Sequence, residues 1–288
     1  MSRAAFLGLG AMGLPMAGRL IDVGHDLAVW NRTPSRGREL VARGARWAPT
    51  PAEAARDAEV VLTMVADPPA LEQVLFGPEG VAQTIAAEAT LVDLSTVGPT
   101  AIRAAAARLH PVAVVDAPVL GSVPHAEAGT LSILAGGEPD ALDRCAEILA
   151  ALGAVRHVGP LGSGATIKLA SNAGVMSAMA CLGEVLALTD RGGLDPETVL
   201  DAIGTGPLGS FVERFRDKLT GRVRRVDFRL ALARKDLTLA LEEGQAAGVR
   251  LTLPMAAAAR CDEAITNGRS EEDNTAVVAE IRSGSRDG

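Results

Sequence analysis

The stretch AAFLGLGAMGLPMAGRL, residues 4–20, constrains the fold more than any other part of the chain. A short apolar run over residues 4–7 ends in glycines spaced G-x-G-x-x-G, at Gly8, Gly10 and Gly13, and helix-forming residues then resume. A short apolar run is how a strand buried on both faces reads, and glycines between it and a helix predict a strand–turn–helix unit. In such a unit the first glycine permits the tight turn and the second lets a pyrophosphate approach the backbone. The third lets the helix pack on the strand. The helix start adds unpaired N–H groups and a partial positive charge. Gly8, Leu9, Gly10, Ala11, Met12 and Gly13 therefore form a candidate dinucleotide loop. With 31 glycines in the chain, the spacing alone would also fit an ordinary strand–helix turn.

The rest of the first half repeats the alternation. A helix over 14–23 stops at Gly24, a strand follows over 26–30, then a loop and a helix over 35–43. Residues 60–69 read as a strand broken by two prolines. Residues 90–99 read as a strand and loop before an Ala-rich helix ending at Leu109, and 112–121 as a further strand and loop. Short strands at 131–137 and 155–159 flank a helix over 139–152. Strands alternating with helices predict βαβ units and a mostly parallel sheet. The alternation ends near Gly162–Gly164. Residues 165–189 contain no proline and are apolar nearly all round, which predicts one helix of roughly 40 Å buried between other elements. Only helical patterns follow, over 195–203, 212–219, 230–245, 254–267 and 273–281, and the tail 283–288 is expected to fray. The predicted class is α/β. A Rossmann-type doubly wound domain over 1–162 precedes an all-helical substrate and dimerisation domain over 163–288, and a long helix joins them.

Composition excludes several function classes. Hydrophobic content of 48% and charged content of 22% describe a globular chain, and a net charge of −7 argues against a broad nucleic-acid surface. The first residues lack a secretory pattern, no stretch is expected to span a membrane, and Cys145, Cys181 and Cys261 are too scattered for a disulfide framework. A cytoplasmic location is the expectation. The four histidines are scattered, with no metal-ligand spacing, so no metal site is expected.

The second strand bears on which dinucleotide would bind. A carboxylate about 20 residues after the glycines would hold the ribose 2′-OH of NAD. This chain has VWNRTPSR there. Arg32 can pair with a 2′-phosphate, with Asn31, Thr33 and Ser35 as hydrogen-bond donors and Arg36 or Arg38 adding charge. The expectation is NADP(H) in preference to NAD. For the chemistry, Lys168 stands out in the long apolar helix, where desolvation would lower its pKa, and Asn172 lies four residues on along the same face. The pair could hold one substrate oxygen. A lysine reaching out to solvent is the plain alternative.

Five segments carry a family resemblance: FLGLGAMGLPMAGRLIDVGHDLAVWNR, DLSTVGP, DAPVLGSVPHAEAGTLSILAGG, GPLGSGATIKLASN and RKDLTLALEEGQAAGVRLTLP. In this order they resemble the β-hydroxyacid dehydrogenases, which are related to 6-phosphogluconate dehydrogenase. The resemblance implies a dehydrogenase or reductase that interconverts a small hydroxy acid and its aldehyde or keto acid, working as a homodimer or homotetramer on a carboxylate substrate. It implies that Lys168 is the catalytic lysine and Asn172 the orienting amide. Val65 and Thr96 become cofactor contacts, Lys235 a lysine meeting both cofactor and substrate, and Asp236 beside it a further substrate-binding residue. Leu120, Gly121 and Ser122 match the loop that binds the substrate carboxylate. The family commonly has serine where Leu120 stands, so the substrate is left open, and His125 in that loop reads as a bystander without a partner. Two other readings stand beside this one: an imine reductase of the same architecture, and a cofactor-binding oligomerisation module without catalysis. Lys168 argues against the first, which Leu120 keeps open; retention of Lys168, Asn172 and Lys235 argues against the second.

Overall fold

Alternating burial builds the sheet. In β1 (Arg3–Leu7) Ala4 and Phe6 face one apolar cluster while Ala5 and Leu7 face another. Both faces of the strand are therefore covered, as a parallel sheet flanked by helices requires. The remaining strands are β2 (Asp26–Trp30), β3 (Arg46–Trp47), β4 (Val60–Thr63), β5 (Thr90–Asp93), β6 (Ala113–Asp116), β7 (Val119–Leu120), β8 (Leu131–Gly136) and β9 (Gly153–Gly159). Their order is β3-β2-β1-β4-β5-β6-β8-β7, with β9 paired to β8. Pairing from β3 through β6 is parallel, and β8 runs antiparallel to β6 and β7. The computed structural model describes residues 2–284, and the chain divides into two compact units, Met1–Leu169 and Ala170–Gly288. The second unit is helical, with one isolated bridge between Arg229 and Asp273 among its described residues. The α/β class, the mostly parallel sheet and the helical second half are as the sequence predicts.

Several local expectations need correction. Pro68 and Pro69 do not merely break a strand. They open the helix Pro68–Phe76, whose N-cap Asp67 accepts the Ala70 N–H at 2.8 Å. Proline suits the first helical turn, where its missing N–H would have no partner anyway. The helix expected over 35–43 is a 3-10 turn, Pro34–Gly37, followed by a short α-helix, Arg38–Ala42. The stretch after Leu120 is not all loop but contains the helix Val123–Ala128. Ser283 and Gly284 complete the helix Ala276–Gly284, and the rest of the expected frayed tail lies outside the described residues.

The long helix runs from Ser163 to Arg191, 29 residues. It buries a stripe comprising Leu169, Ala173, Met176, Ala180 and Ala187, with Met179, Leu182 and Leu186 beside it. A line through Gly174, Cys181, Glu184 and Leu188 is exposed. It is thus not enclosed all round, because small residues read as apolar in sequence whichever way they face. Contrary to expectation, this helix is long and apolar enough to cross a membrane by length and composition alone. Leu169, Met176, Met179, Leu182 and Leu186 pack instead within the protein, while Ile167 and Leu188 are exposed, and Gly183 lets the helix approach Ile281 closely.

Candidate active site

The glycine turn sits at the carboxyl end of β1, where the strand order reverses between β1 and β4. Open α/β sheets bind ligands at such switch points. Gly8 has φ +104°, and a Cβ there would lie 2.2 Å from the Met64 carbonyl oxygen. A Cβ on Gly13 would meet the Gly8 oxygen at 1.9 Å, so this glycine brings the helix Gly13–Asp22 onto the strand. Gly10 differs, because a Cβ there would meet nothing within 4 Å. No protein atom crowds that position, which leaves the backbone open to a ligand. The helix has no side-chain N-cap and no acidic residue in its first turn, which leaves its positive end uncompensated. These features fit a dinucleotide phosphate.

Other residues of the loop have different work. Leu9 is wholly buried, and its N–H donates to Asn31 Oδ1 at 2.9 Å. Asn31 Nδ2 in turn donates to the Thr33 carbonyl at 3.0 Å. Asn31 therefore ties the glycine turn to the loop after β2. Ala11 is exposed and Met12 half-buried. Arg32, Thr33, Ser35, Arg36 and Arg38 are all exposed beyond β2, where the sequence places them.

Val65 and Thr96 follow β4 and β5, and a buried network that sequence reasoning missed holds Val65. Asp93 Oδ1 accepts from Thr63 Oγ1 at 2.6 Å and from Ser95 Oγ at 2.7 Å, and Ser95 Oγ accepts the Val65 N–H at 2.9 Å. The signal was present: a carboxylate closing an otherwise apolar strand, in LVDLST. The same holds for Asp116 at the end of β6, which is the register partner of Asp93. Asp116 accepts the Gly162 N–H at 2.6 Å and the Ala165 N–H at 2.7 Å, at the start of the long helix. Burial raises its carboxyl to about 6, the backbone N–H groups oppose the rise, and the charge of Asp93 adds to it.

Lys168 is half-buried on that helix, between exposed Ile167 and buried Leu169. Asn172 lies one turn on, and its Nδ2 donates to Asp236 Oδ2 at 2.5 Å. Asp236 Oδ1 lies 2.7 Å from Lys235 Nζ, an electrostatic contact without hydrogen-bond alignment. Asp236 is only 2% exposed, and its two oxygens join Asn172 to Lys235. In the third region Leu120 is half-buried and pairs with Ser132, and Gly121 has φ +145°. Ser122 caps the helix Val123–Ala128. His125 is not without a partner: its Nδ1 accepts the Ser122 N–H at 3.2 Å and lies 2.9 Å from Ser122 Oγ. A backbone N–H can only donate, so Nδ1 is the acceptor.

Residues 3–162 match the NAD-binding domain of 6-phosphogluconate dehydrogenase, and residues 162–281 match the NAD-binding segment of NADP-dependent 3-hydroxyisobutyrate dehydrogenase. The chain belongs to the β-hydroxyacid dehydrogenase family. It is 32% identical to 3-sulfolactaldehyde reductase of Escherichia coli, over 98% of this chain and 96% of that protein. It is 33% identical to 3-hydroxyisobutyrate dehydrogenase of Pseudomonas aeruginosa, over 90% of each. The structure of Mycobacterium tuberculosis 3-hydroxyisobutyrate dehydrogenase with L-serine superposes with a TM-score of 0.88 at 26% identity, covering 98% of this chain and 99% of that one. As a β-hydroxyacid dehydrogenase the chain is an NAD(P)-dependent oxidoreductase acting on CH–OH groups. The glycine turn, with its open position at Gly10, is the part of the molecule suited to that cofactor.

Proposed function

We propose that this β-hydroxyacid dehydrogenase reduces a small aldehyde acid with NADPH, reversibly, and that Lys168 is its general acid and base. The bound dinucleotide supplies or accepts the hydride at the carbonyl carbon. As the C=O π bond breaks, Lys168 Nζ gives a proton to the oxygen and takes it back in the oxidative direction. Asn172 orients that oxygen. Lys235 meets cofactor and substrate, and Asp236 beside it holds Asn172 and Lys235 at the substrate. Ser122 and the Gly121 backbone receive the substrate carboxylate, and Leu120 walls its apolar part. Arg32 pairs with the 2′-phosphate of NADPH, in place of the carboxylate that NAD would require.

One observation carries the reading: Lys168 and Asn172 stand a turn apart on one helix, and a buried carboxylate fixes the amide. The reading also takes the enzyme to be a cytoplasmic homodimer or homotetramer without a nucleic-acid or membrane partner, which light scattering of the purified protein checks for the assembly. The test of function follows NADPH loss with glyoxylate, succinic, methylmalonate and tartronate semialdehydes, 3-sulfolactaldehyde and one cyclic imine. Wild type is run beside Lys168→Ala. Turnover of an aldehyde acid, reduced about 10²–10⁴-fold in the variant, is expected. Turnover of the imine alone, or activity indifferent to Lys168, would refute the assignment.

A further inference from the structure

Asp116 lies outside the machinery described so far, yet it is built into the start of the helix that carries Lys168. It is 1% exposed, and its two oxygens accept separate N–H groups, from Gly162 and from Ala165. Lys168 follows Ala165 by three residues, less than one turn. A Cβ on Gly136 would lie 2.5 Å from Asp116 Oδ1, and one on Gly164 would lie 2.9 Å from Oδ2. The chain thus leaves the carboxylate a single seat. A carboxylate in that seat satisfies two N–H groups that the helix itself cannot pair, and it is favoured by the positive helix end.

We propose that Asp116 is a positioning residue for Lys168: its ionised carboxylate fixes the first turn of the Ser163–Arg191 helix, and protonation releases one of the two N–H groups and loosens that turn. The proposal rests on the reading of Lys168 as the proton donor. A protonated carboxyl turns one acceptor into an O–H, which then faces an N–H donor. Asp93 faces it from β5, and β8 contributes no titratable side chain. β9 brings His157, whose Nε2 lies 3.1 Å from the Gly137 carbonyl and 3.0 Å from that of Gly159, and the helix Pro139–Leu152 brings Arg144, which donates to Thr90 Oγ1 at 3.1 Å. Arg103, from the helix Pro99–Leu109, reaches the Leu161 carbonyl beside Gly162, and Lys168 sits on the capped helix itself. Burial of Asp116 outweighs its two N–H bonds and sets the release near pH 6.

The experiment combines two readouts on the intact enzyme. Amide ¹H–¹⁵N resonances of Gly162 and Ala165 are followed from pH 5 to 7.5, and kcat is measured over the same range for wild type, Asp116→Asn and Lys168→Ala. Both amides should move with one midpoint near 6, and wild-type kcat should fall below that midpoint. Asparagine can accept only one of the two N–H groups at any pH. Asp116→Asn should therefore lose the acid limb and at least about tenfold in kcat at pH 7.5, with NADPH affinity unchanged. Amides that do not titrate, or a wild-type limb retained in Asp116→Asn, would overturn the proposal. If the variant does not fold, coincidence of the amide midpoint with the kcat limb in wild type decides alone. Full activity in Lys168→Ala would instead sink the reading of Lys168, while the amide titration still reports on the cap.

Discussion

Replacing Asp236 tests the polar cluster most directly, because one side chain holds two others. Asp236→Ala removes the acceptor at 2.5 Å from Asn172 Nδ2 and the anion at 2.7 Å from Lys235 Nζ. Losing one partner of a buried ion pair costs about 3–5 kcal/mol. Lys235 is 20% exposed and can turn partly to water, so the lower end applies, about 3 kcal/mol. For a protein of this size that is roughly 6–12 °C in melting temperature. Asp236→Asn is nearly isosteric and keeps an acceptor for Asn172, but it presents no anion to Lys235. Its cost should be smaller, about 1–2 kcal/mol. The two variants also separate positioning from packing. Asn should retain kcat better than Ala, because Asn172 stays oriented, while both should raise the KM for substrate and cofactor by freeing Lys235. Thermal melts and steady-state kinetics on the same samples measure this. If both variants melt within a degree of wild type and keep its kcat, Asp236 does not hold the cluster and the reasoning fails.

Three further outcomes follow from the nucleotide turn and from Asp116. Gly10→Ala meets no protein atom, so it should melt as wild type yet lose at least tenfold in dinucleotide affinity by calorimetry; wild-type binding would show that nothing approaches Gly10. Arg32→Asp places a carboxylate at the end of β2 and should move the preference from NADPH to NADH, checked by kcat/KM for each; an unchanged ratio removes Arg32 from 2′-phosphate recognition. Stability should fall as pH rises from 3.8 to about 6, because the unfolded chain ionises Asp116 first while burial keeps it protonated in the folded one. That contribution, present below 3.8 and lost through about 6, amounts to about 3 kcal/mol. Denaturant titrations should find it missing in Asp116→Asn, and an identical pH slope in the two proteins would contradict it.

What the sequence made legible is local, and what it hid is paired across the chain. The glycine turn could be read because steric demands at Gly8 and Gly13 arise within a few residues of the strand end. β2, β4, β5 and β6 could be read because their central residues are apolar on both faces, whereas the two-residue β3, with its exposed Arg46, left no such pattern and was missed. Asp116 and Asp236 could not be assigned in this way. The partners of Asp116 lie 46 and 49 residues on, and Asn172 lies 64 residues before Asp236. Before the fold is known, a carboxylate closing a strand and one beside a lysine look like ordinary surface charges. Their context carried a physical hint all the same. Asp93 and Asp116 end buried strands that are apolar but for Thr90, and a charge in such a run must find donors or neutralise. Asp93 found hydroxyls, and Asp116 found backbone N–H groups at the start of a helix. Sequence reading fell short at Ser122 and His125 for a different reason. Their spacing of three is that of a capping box, but histidine is not the usual residue there, and only the ring's orientation reveals the contact. That contact engages the serine standing two residues beyond Leu120. The hydroxyl that would replace the family's usual serine is therefore already held by His125. If this loop receives the substrate as proposed, the choice among aldehyde acids turns on Leu120 and on a hydroxyl whose direction His125 sets.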